Sequence, residues 1–321
     1  MKKRLLGFWA LVRATIQKWQ EDNASELGAA LAYFTMVSLA PLLLVVVAGV
    51  GFFLGEGAVR TEIVSQVGQV VGGDGAQFVD SMISSLSVPS NNLLAALIAL
   101  VTALLAALGV FVQLQSSLNR IWRVQLKPKA GIKGLIMTRV VSFLLMLGVG
   151  LLLLGLLVLN SILPAILAVV NNLLPVAEHF PLLRALNLGL TFGVLVLLFA
   201  MIYRLLPDAQ IQWRDVWVGA AVTALLFTLG QLVLGIYFSY STVGSAYGAA
   251  GSFVVILVWV YYSAQILMLG AEFTAVFAER SGRQILPARN AVRVVIETRE
   301  IESGEKVVAN KGQNESNREQ G

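Results

Sequence analysis

Long segments without charged residues recur along the chain and are joined by shorter polar segments. A helix needs about 20 mostly apolar residues to cross a bilayer. By that measure the chain has six predicted spans, at about residues 28–53, 93–114, 140–159, 185–203, 216–237 and 253–273. The last two are separated because the uncharged stretch from 216 to 271 is too long for one helix. The middle of that stretch, 239–252, is rich in Gly, Ala, Ser and Tyr. The pattern predicts an all-α, polytopic transmembrane bundle.

Amphipathic or polar segments flank this predicted membrane domain, which covers residues 26–280. In the arm at 1–25, apolar residues recur at helical spacing with basic residues off the stripe, which is typical of a helix on an anionic membrane surface. Packing of the arm on the rest of the protein is the alternative. The external segment 54–90 carries two short amphipathic patterns separated by a glycine-rich stretch. The tail at 281–321 is polar, and we expect it to be largely disordered.

The basic residues predict the orientation of the spans. With the N-terminus inside, 21 of the 23 Lys and Arg residues fall in inner segments, and only Arg60 and Arg184 fall outside. Cytoplasmic segments of membrane proteins carry such an excess. Both termini are therefore predicted to be cytoplasmic. The net charge of +5 then points to the anionic inner leaflet as a partner rather than to nucleic acid.

Composition excludes several other classes of protein. With 57% hydrophobic and 13% charged residues, a soluble globule could not cover its own apolar side chains. Cysteine is absent, which excludes disulfides, thiolate zinc sites and cysteine nucleophiles. The one histidine, His179, is predicted outside, and no Walker loop, G-x-S-x-G or H-E-x-x-H motif occurs. We therefore expect no cofactor, no metal site and no enzymatic activity.

Several stretches resemble the YihY/BrkB family of bacterial inner-membrane proteins, once labelled ribonuclease BN. The matching stretches are AALAYF at 29–34 with SLAP at 38–41, LNRIW at 118–122, LPD at 206–208 with WRDVW at 213–217, and YGAAG at 247–251 with WVY at 259–261 and GAEF at 270–273. The resemblance implies a six-span, multi-pass protein of the bacterial inner membrane. Members are associated with serum resistance and envelope function, and one similar protein with export of lipid A precursors. Ribonuclease activity is not expected, because the acids of the inner face are scattered.

Polar residues at membrane depth are the candidates for a gate or pathway. Glu272 follows 56 uncharged residues near the inner end of the last predicted span, where an ionised carboxylate needs a cation or a proton. Our hypothesis is that it pairs with Arg204 or Arg120 to form an inner gate or a proton-coupled switch. A salt bridge that only fixes helix packing is the alternative. The other candidates are Tyr33, Gln113, Asn119, Gln231, Tyr247, Gly248 and Gln265.

Two functions from different classes fit this pattern. The leading hypothesis is a transporter-like protein that moves a lipid or small envelope-related solute. The rival is a non-transporting scaffold or envelope-assembly factor that binds lipids or partner proteins through its basic inner face. A wet, polar-lined cavity at membrane depth would favour transport, and a tightly packed bundle would favour the scaffold. Either protein could form a homo-oligomer.

Overall fold

The computed structural model describes residues 2–85, 93–127, 148, 180–240, 247 and 250–294. Within them the helices are α1 (Lys2–Glu21), α2 (Ala24–Leu54), α3 (Glu56–Val71), α4 (Gly73–Ser85), α5 (Leu93–Ile121), α6 (Phe180–Leu205), α7 (Trp213–Tyr240) and α8 (Gly251–Arg280). The short strands are β1 (Val124–Leu126), β2 (Ala209–Gln210), β3 (Leu286–Pro287) and β4 (Ala291–Arg293). The predicted all-α membrane bundle is confirmed.

Five helices in the described part of the chain are long and apolar enough to cross a membrane. Their spanning parts are Ala24–Phe52, Val101–Ile121, Leu188–Leu205, Trp213–Phe238 and Gly251–Arg280. They correspond to the first, second, fourth, fifth and sixth predicted spans, while the predicted span at 140–159 lies outside the described residues. The helices of the second and last predicted spans, α5 and α8, continue seven residues past the predicted ends at 114 and 273. The turns added to α5 are mostly polar and those added to α8 end in Glu279 and Arg280, but most of their residues pack against protein, so apolarity alone does not mark the helix ends.

The last helix, α8, is the centre of the bundle. It packs against α2 on one side and α7 on the other, and α2 and α7 then contact α5 and α6 respectively. The residues that α7 turns away from the bundle are large and apolar and recur at helical spacing: Leu225, Leu229, Leu232, Val233 and Ile236. Such an uncovered apolar stripe suits a lipid environment.

The four strands join helix ends at one face of the bundle, which we call the inner face. Antiparallel pairing joins β1, after α5, to β4, after α8, and joins β2, between α6 and α7, to β3. The inner ends of α5, α6, α7 and α8 therefore lie together, and α6 begins at the opposite face. The start of the tail, through residue 294, pairs with both inner loops, which supply partners for its backbone, and the disorder expected of most of the tail stays a prediction. Residues 295–321 lie outside the described part.

The segment between the first two spans forms α3 and α4, which cover the opposite end of α8. Their buried residues Val71, Val79 and Ile83 pack with Val255 and Ile256 of α8 in one apolar cluster. The turn between the two helices passes through Gly72, whose φ of 99° is a conformation that favours glycine. This outer layer holds the outer end of the central helix.

An ion pair between α3 and α4 is expected to make this outer layer sensitive to acid. Arg60 Nε donates to Asp80 Oδ1 at 2.7 Å, and this bond lowers the pKa of Asp80 below its usual 3.8. The pair therefore stabilises the outer layer fully above pH 3.8. This stabilisation is lost as the pH falls through the lowered pKa that Asp80 has in the folded protein. With spin labels at Thr61→Cys and Ser81→Cys, we expect the measured inter-label distances to broaden modestly on acidification. Asp80→Asn should remove the dependence of these distances on pH. The same broadening in this variant would show that the ion pair is not its cause.

Candidate functional site

Glu272 is fully buried, with 0% of its side chain exposed, on the inner half of α8. Neither carboxylate oxygen has a hydrogen-bond partner among the residues that the structure describes. The carbonyl oxygen of the preceding residue, Ala271, accepts a bond from Trp122 Nε1 at 3.3 Å. That bond brings the inner end of α5 directly against this part of α8. Glu272 is therefore a buried carboxylate at a helix junction, without a hydrogen bond to the described part of the chain.

The hypothesis that Glu272 pairs with Arg204 or Arg120 is wrong. Arg204 donates instead to the carbonyl oxygen of Ile211, and its guanidinium lies 5.7 Å from the ring centre of Trp213. Arg120 is exposed in the last turn of α5. Both arginines are at helix ends, where they reach backbone carbonyls or solvent, whereas Glu272 lies about two turns inside the end of α8.

The charged side chains that act electrostatically on Glu272 are Asp22, Lys18, Arg123 and Glu279. Asp22, in the turn between α1 and α2, has 6% of its surface exposed, and its Oδ1 accepts a bond from Arg123 Nη2 at 3.0 Å. Its Oδ2 is buried without a partner in the described structure, as is Trp19 Nε1. Lys18 Nζ contacts Glu279 Oε1 at 2.7 Å. Sequence inspection did not single out Asp22 or Arg123, because the two lie 101 residues apart.

Arg123 also has an unusual backbone. Its φ of 54° is in the left-handed region, which L side chains other than Asn and Asp rarely adopt. Hydrogen bonds from its N–H to Arg120 and from the N–H of Val294 to its carbonyl oxygen hold this conformation. Strained residues of this kind concentrate at functional sites. The ion pair with Asp22 is thus made by a residue that the fold fixes in place.

A second polar group joins α5 to the loop after α6. Asn119 Nδ2 donates to Asp208 Oδ2 at 2.8 Å, and the Asp208 backbone N–H donates back to Asn119 Oδ1 at 2.8 Å. Gln115 Nε2 also donates to Asp208 Oδ2, at 3.3 Å. This closed set of bonds fixes the loop on the inner face. The predicted site residue Asn119 is therefore a brace between two elements.

The remaining candidates lie at separate places in the bundle. Gln265 donates to the carbonyl oxygen of Ser25 at 3.0 Å, and Gln113 donates to Ser117 Oγ at 3.4 Å. Tyr33 and Tyr247 are exposed and Gln231 is half-buried, while Gly248 lies outside the described residues. Within the described structure, no hydrogen bond joins any of these side chains to Glu272.

The N-terminal helix packs on α8 with one face and leaves the other uncovered. Arg280 Nη2 donates to the carbonyl oxygen of Ala10 at 2.8 Å, which together with the Lys18–Glu279 pair fixes α1 to the inner end of α8. The uncovered face carries Trp9, 69% exposed, and Ile16. A groove of about 810 Å³ runs along it, lined within the described residues by α1 alone. The arm thus packs on the protein with one face, and its contact with the membrane surface stays a prediction.

No three His, Cys, Asp or Glu side chains of the described part come together as a group that could hold a metal ion. The site consists instead of a buried carboxylate, a buried ion pair and a basic inner face around the ends of five apolar helices. These features define a polytopic integral membrane protein.

Comparison with known proteins places the chain within this class. The family model for virulence factor BrkB matches residues 15–294, so the protein belongs to the BrkB family, as the resemblance implied. A UPF0761 membrane protein of Ralstonia nicotianae is 26% identical over 273 residues, which are 83% of this chain and 58% of the relative. One from Pseudoalteromonas translucida is 28% identical over 271 residues, 84% of this chain and 85% of the relative. The chain thus spans less than two thirds of the Ralstonia protein. No solved structure matches.

Proposed function

We propose that this protein is a transporter of the bacterial inner membrane that moves a lipid or small envelope-related solute, with Glu272 as the switch of its inner gate. The observation that carries the proposal is the complete burial of Glu272 without a hydrogen-bond partner in the described structure. Replacing buried charges by apolar residues is often neutral or stabilising, so packing alone does not explain a carboxylate here. Ionisable groups at membrane depth mark ion and substrate pathways.

The position of Glu272 suits such a switch. The part of the helix that carries it lies between the end of α5, through Trp122 and Ala271, and α7, through Gly219 and Thr274, so a change of charge at this residue acts where these helices meet. A charged Glu272 favours entry of water or a cation between the inner helix ends, and a neutral one favours their closure. In this proposal the Asp22–Arg123 pair and the Asn119–Asp208 bonds hold the ends of the gate.

The inner membrane and its anionic leaflet are part of the proposal. They are supported by the concentration of Lys and Arg in the predicted inner segments and by the resemblance to inner-membrane proteins. The uncovered face of α1, with Trp9, Arg13 and Ile16, has the aromatic, basic and aliphatic side chains that suit a membrane interface.

Close packing between helices favours a second candidate, a scaffold or envelope-assembly factor. A Cβ atom at Gly219 would overlap the Thr274 hydroxyl, and one at Gly230 would overlap the Tyr262 hydroxyl. Small residues that allow such close approach are typical of packed interfaces between membrane helices. In that protein Glu272 is a fixed part of the packing, and no solute moves.

Flux measurements separate the two candidates. Lipid and metabolite profiles of a deletion strain identify what accumulates, and that compound is then followed across proteoliposomes containing the purified protein. We expect Glu272→Gln to lower the flux roughly tenfold or more, because it removes the switchable charge but keeps the shape.

The matched control is Glu26→Gln, which alters an exposed acid at the inner end of α2 and should leave flux unchanged. Equal flux in the Glu272→Gln protein would contradict the gate. If the wild-type protein moves no accumulated compound, the scaffold is favoured. We also propose that the protein is not an enzyme, and degradation of tRNA that requires Glu272 would contradict this.

A further inference from the structure

The charges around Glu272 do not balance. The acidic side chains of this group are Asp22, Glu272 and Glu279, and the basic ones are Lys18 and Arg123. Arg123 pairs with Asp22 and Lys18 pairs with Glu279. Among the residues that the structure describes, one negative charge is therefore left over, and it belongs to the most deeply buried member, Glu272. These groups come from α1, the turn after it, the turn after α5, and α8.

The unbalanced charge coincides with buried oxygens that lack partners. Both oxygens of Glu272 and Oδ2 of Asp22 are inaccessible and accept no hydrogen bond within the described residues. Each side chain is more than nine-tenths buried, at 0% and 6% exposure. The bonds of the adjacent residues Trp122 and Arg123, to the Ala271 carbonyl oxygen and to Asp22 Oδ1, bring the two carboxylates to the same helix junction. A buried anion is strongly disfavoured unless it is neutralised and hydrogen-bonded, so the arrangement requires a positive ligand.

We propose that Glu272 and Asp22 form a binding site for one monovalent cation, H⁺ or Na⁺. A single positive charge neutralises the group, whereas a divalent ion would leave a surplus of the opposite sign. The donors are carboxylate oxygens, which bind hard cations. A proton would reside on Glu272, and Na⁺ would be shared between Glu272 and Asp22 Oδ2.

The site joins the α1–α2 turn to the centre of the bundle. Asp22 is fixed by Arg123, whose backbone is bonded to Val294 beyond β4, and Glu272 is fixed by the packing of α8. Loss of the cation restores repulsion between the two acids and favours their separation. As a coupling ion for transport, the cation rests on the proposed function; as a bound ligand, it does not.

Binding is tested on the purified full-length protein in nanodiscs, without any measurement of flux. Calorimetric titration with NaCl, against choline chloride at about pH 8, detects Na⁺, because carboxylic acids are then largely ionised unless the site retains a proton. Infrared difference spectra after a pH jump detect a protonated buried carboxyl group. We expect one saturable Na⁺ signal or one carboxyl signal in the wild-type protein, and either result identifies the ion. Absence of both would overturn the proposal.

Variants assign the signal to the site. Glu272→Gln should abolish the signal. Asp22→Asn should raise the Na⁺ concentration, or shift the H⁺ concentration, at which the site is half occupied by roughly tenfold. Glu26→Gln should match the wild type. A signal that persists in Glu272→Gln would overturn the proposal. Thermal unfolding without Na⁺ should show Glu272→Gln to be at least as stable as the wild type, because it removes an uncompensated charge. If that variant does not fold, Asp22→Asn decides, and an unchanged signal there overturns the proposal.

Discussion

Arg283→Ala is expected to lower the melting temperature of the protein by roughly 10 °C, because it leaves a buried carboxylate without its cation. Asp215, at the inner start of α7, has 1% of its surface exposed. Arg283 Nε donates to Oδ2 at 2.8 Å and to Oδ1 at 3.0 Å, and Nη2 also donates to Oδ1. These bonds raise the pKa of Arg283 above its ordinary value, so the guanidinium stays charged throughout the accessible pH range.

Loss of the Arg283 side chain should also release the segment that follows α8. Arg283 lies just before β3, which pairs with β2, and β4 beyond it pairs with β1. The Asp215–Arg283 pair therefore ties this segment to α7 at its beginning. We expect Arg283→Ala to make residues 283–294 accessible to proteolysis at temperatures where the wild-type segment is protected.

Two variants show whether the buried charge is the cause. Arg289→Ala removes an exposed arginine from the same segment and should melt with the wild type. Asp215→Asn combined with Arg283→Gln should recover most of the lost stability, because no buried charge then remains unpaired. If Arg283→Ala and Arg289→Ala melt at the same temperature, the pair does not stabilise the fold.

The membrane helices could be predicted from the sequence because their signal is local. Twenty or so apolar residues in a row are a property of one segment, and the predicted spans at 28–53, 185–203 and 216–237 fall on α2, α6 and α7. The inner strands could not be predicted. Each has two or three residues, too few for an alternating pattern, and β1 and β4 are strands only because distant segments meet.

The candidate site was predictable only in its central residue. Glu272 is conspicuous in the sequence because it ends a long uncharged stretch, which is again a local property. Its surroundings are not local: Asp22 and Arg123 come from the turns that follow α1 and α5, 101 residues apart. Arg204 and Arg120 were predicted as partners of Glu272 because they lie at a similar membrane depth. Depth does not specify toward which side of its helix a side chain points. Arg204 consequently turned out to bind Ile211 and Trp213 instead.

The contact of α8 with α6 and α7 is likewise invisible in one sequence. Gly270 looks like any glycine in an apolar helix, yet it faces Tyr203 and Thr223, both fully buried. The Tyr203 hydroxyl donates to the carbonyl oxygen of Leu267 at 2.8 Å and lies 3.0 Å from Thr223 Oγ1. Thr223 Oγ1 donates to the carbonyl oxygen of Gly219 at 2.8 Å. These hydrogen bonds fix the Tyr203 and Thr223 hydroxyl groups at the place where α6, α7 and α8 meet.

Gly270→Ala is therefore expected to destabilise the bundle by about 1–3 kcal/mol, the usual effect of overpacking a filled core. The added Cβ would overlap Thr223 Oγ1, and the Tyr203 hydroxyl would lie 2.5 Å from it. Neither group can withdraw without losing a buried hydrogen bond. Reversible unfolding in mixed micelles, followed by circular dichroism, measures the change.

Two further variants distinguish overlap from a general effect of alanine. Gly193→Ala in α6 adds the same methyl group where nothing lies within 4 Å, and it should leave stability unchanged or slightly raised, because alanine favours helix more than glycine does. Thr223→Ala, added to Gly270→Ala, removes the nearest obstacle and should recover part of the loss, since the Tyr203 hydroxyl still crowds the site. Equal stability of the Gly270→Ala and Gly193→Ala proteins would show that α8 can move away from α6 and α7 at little energetic cost. Such freedom would contradict a filled core here and would instead favour a central helix that shifts during transport.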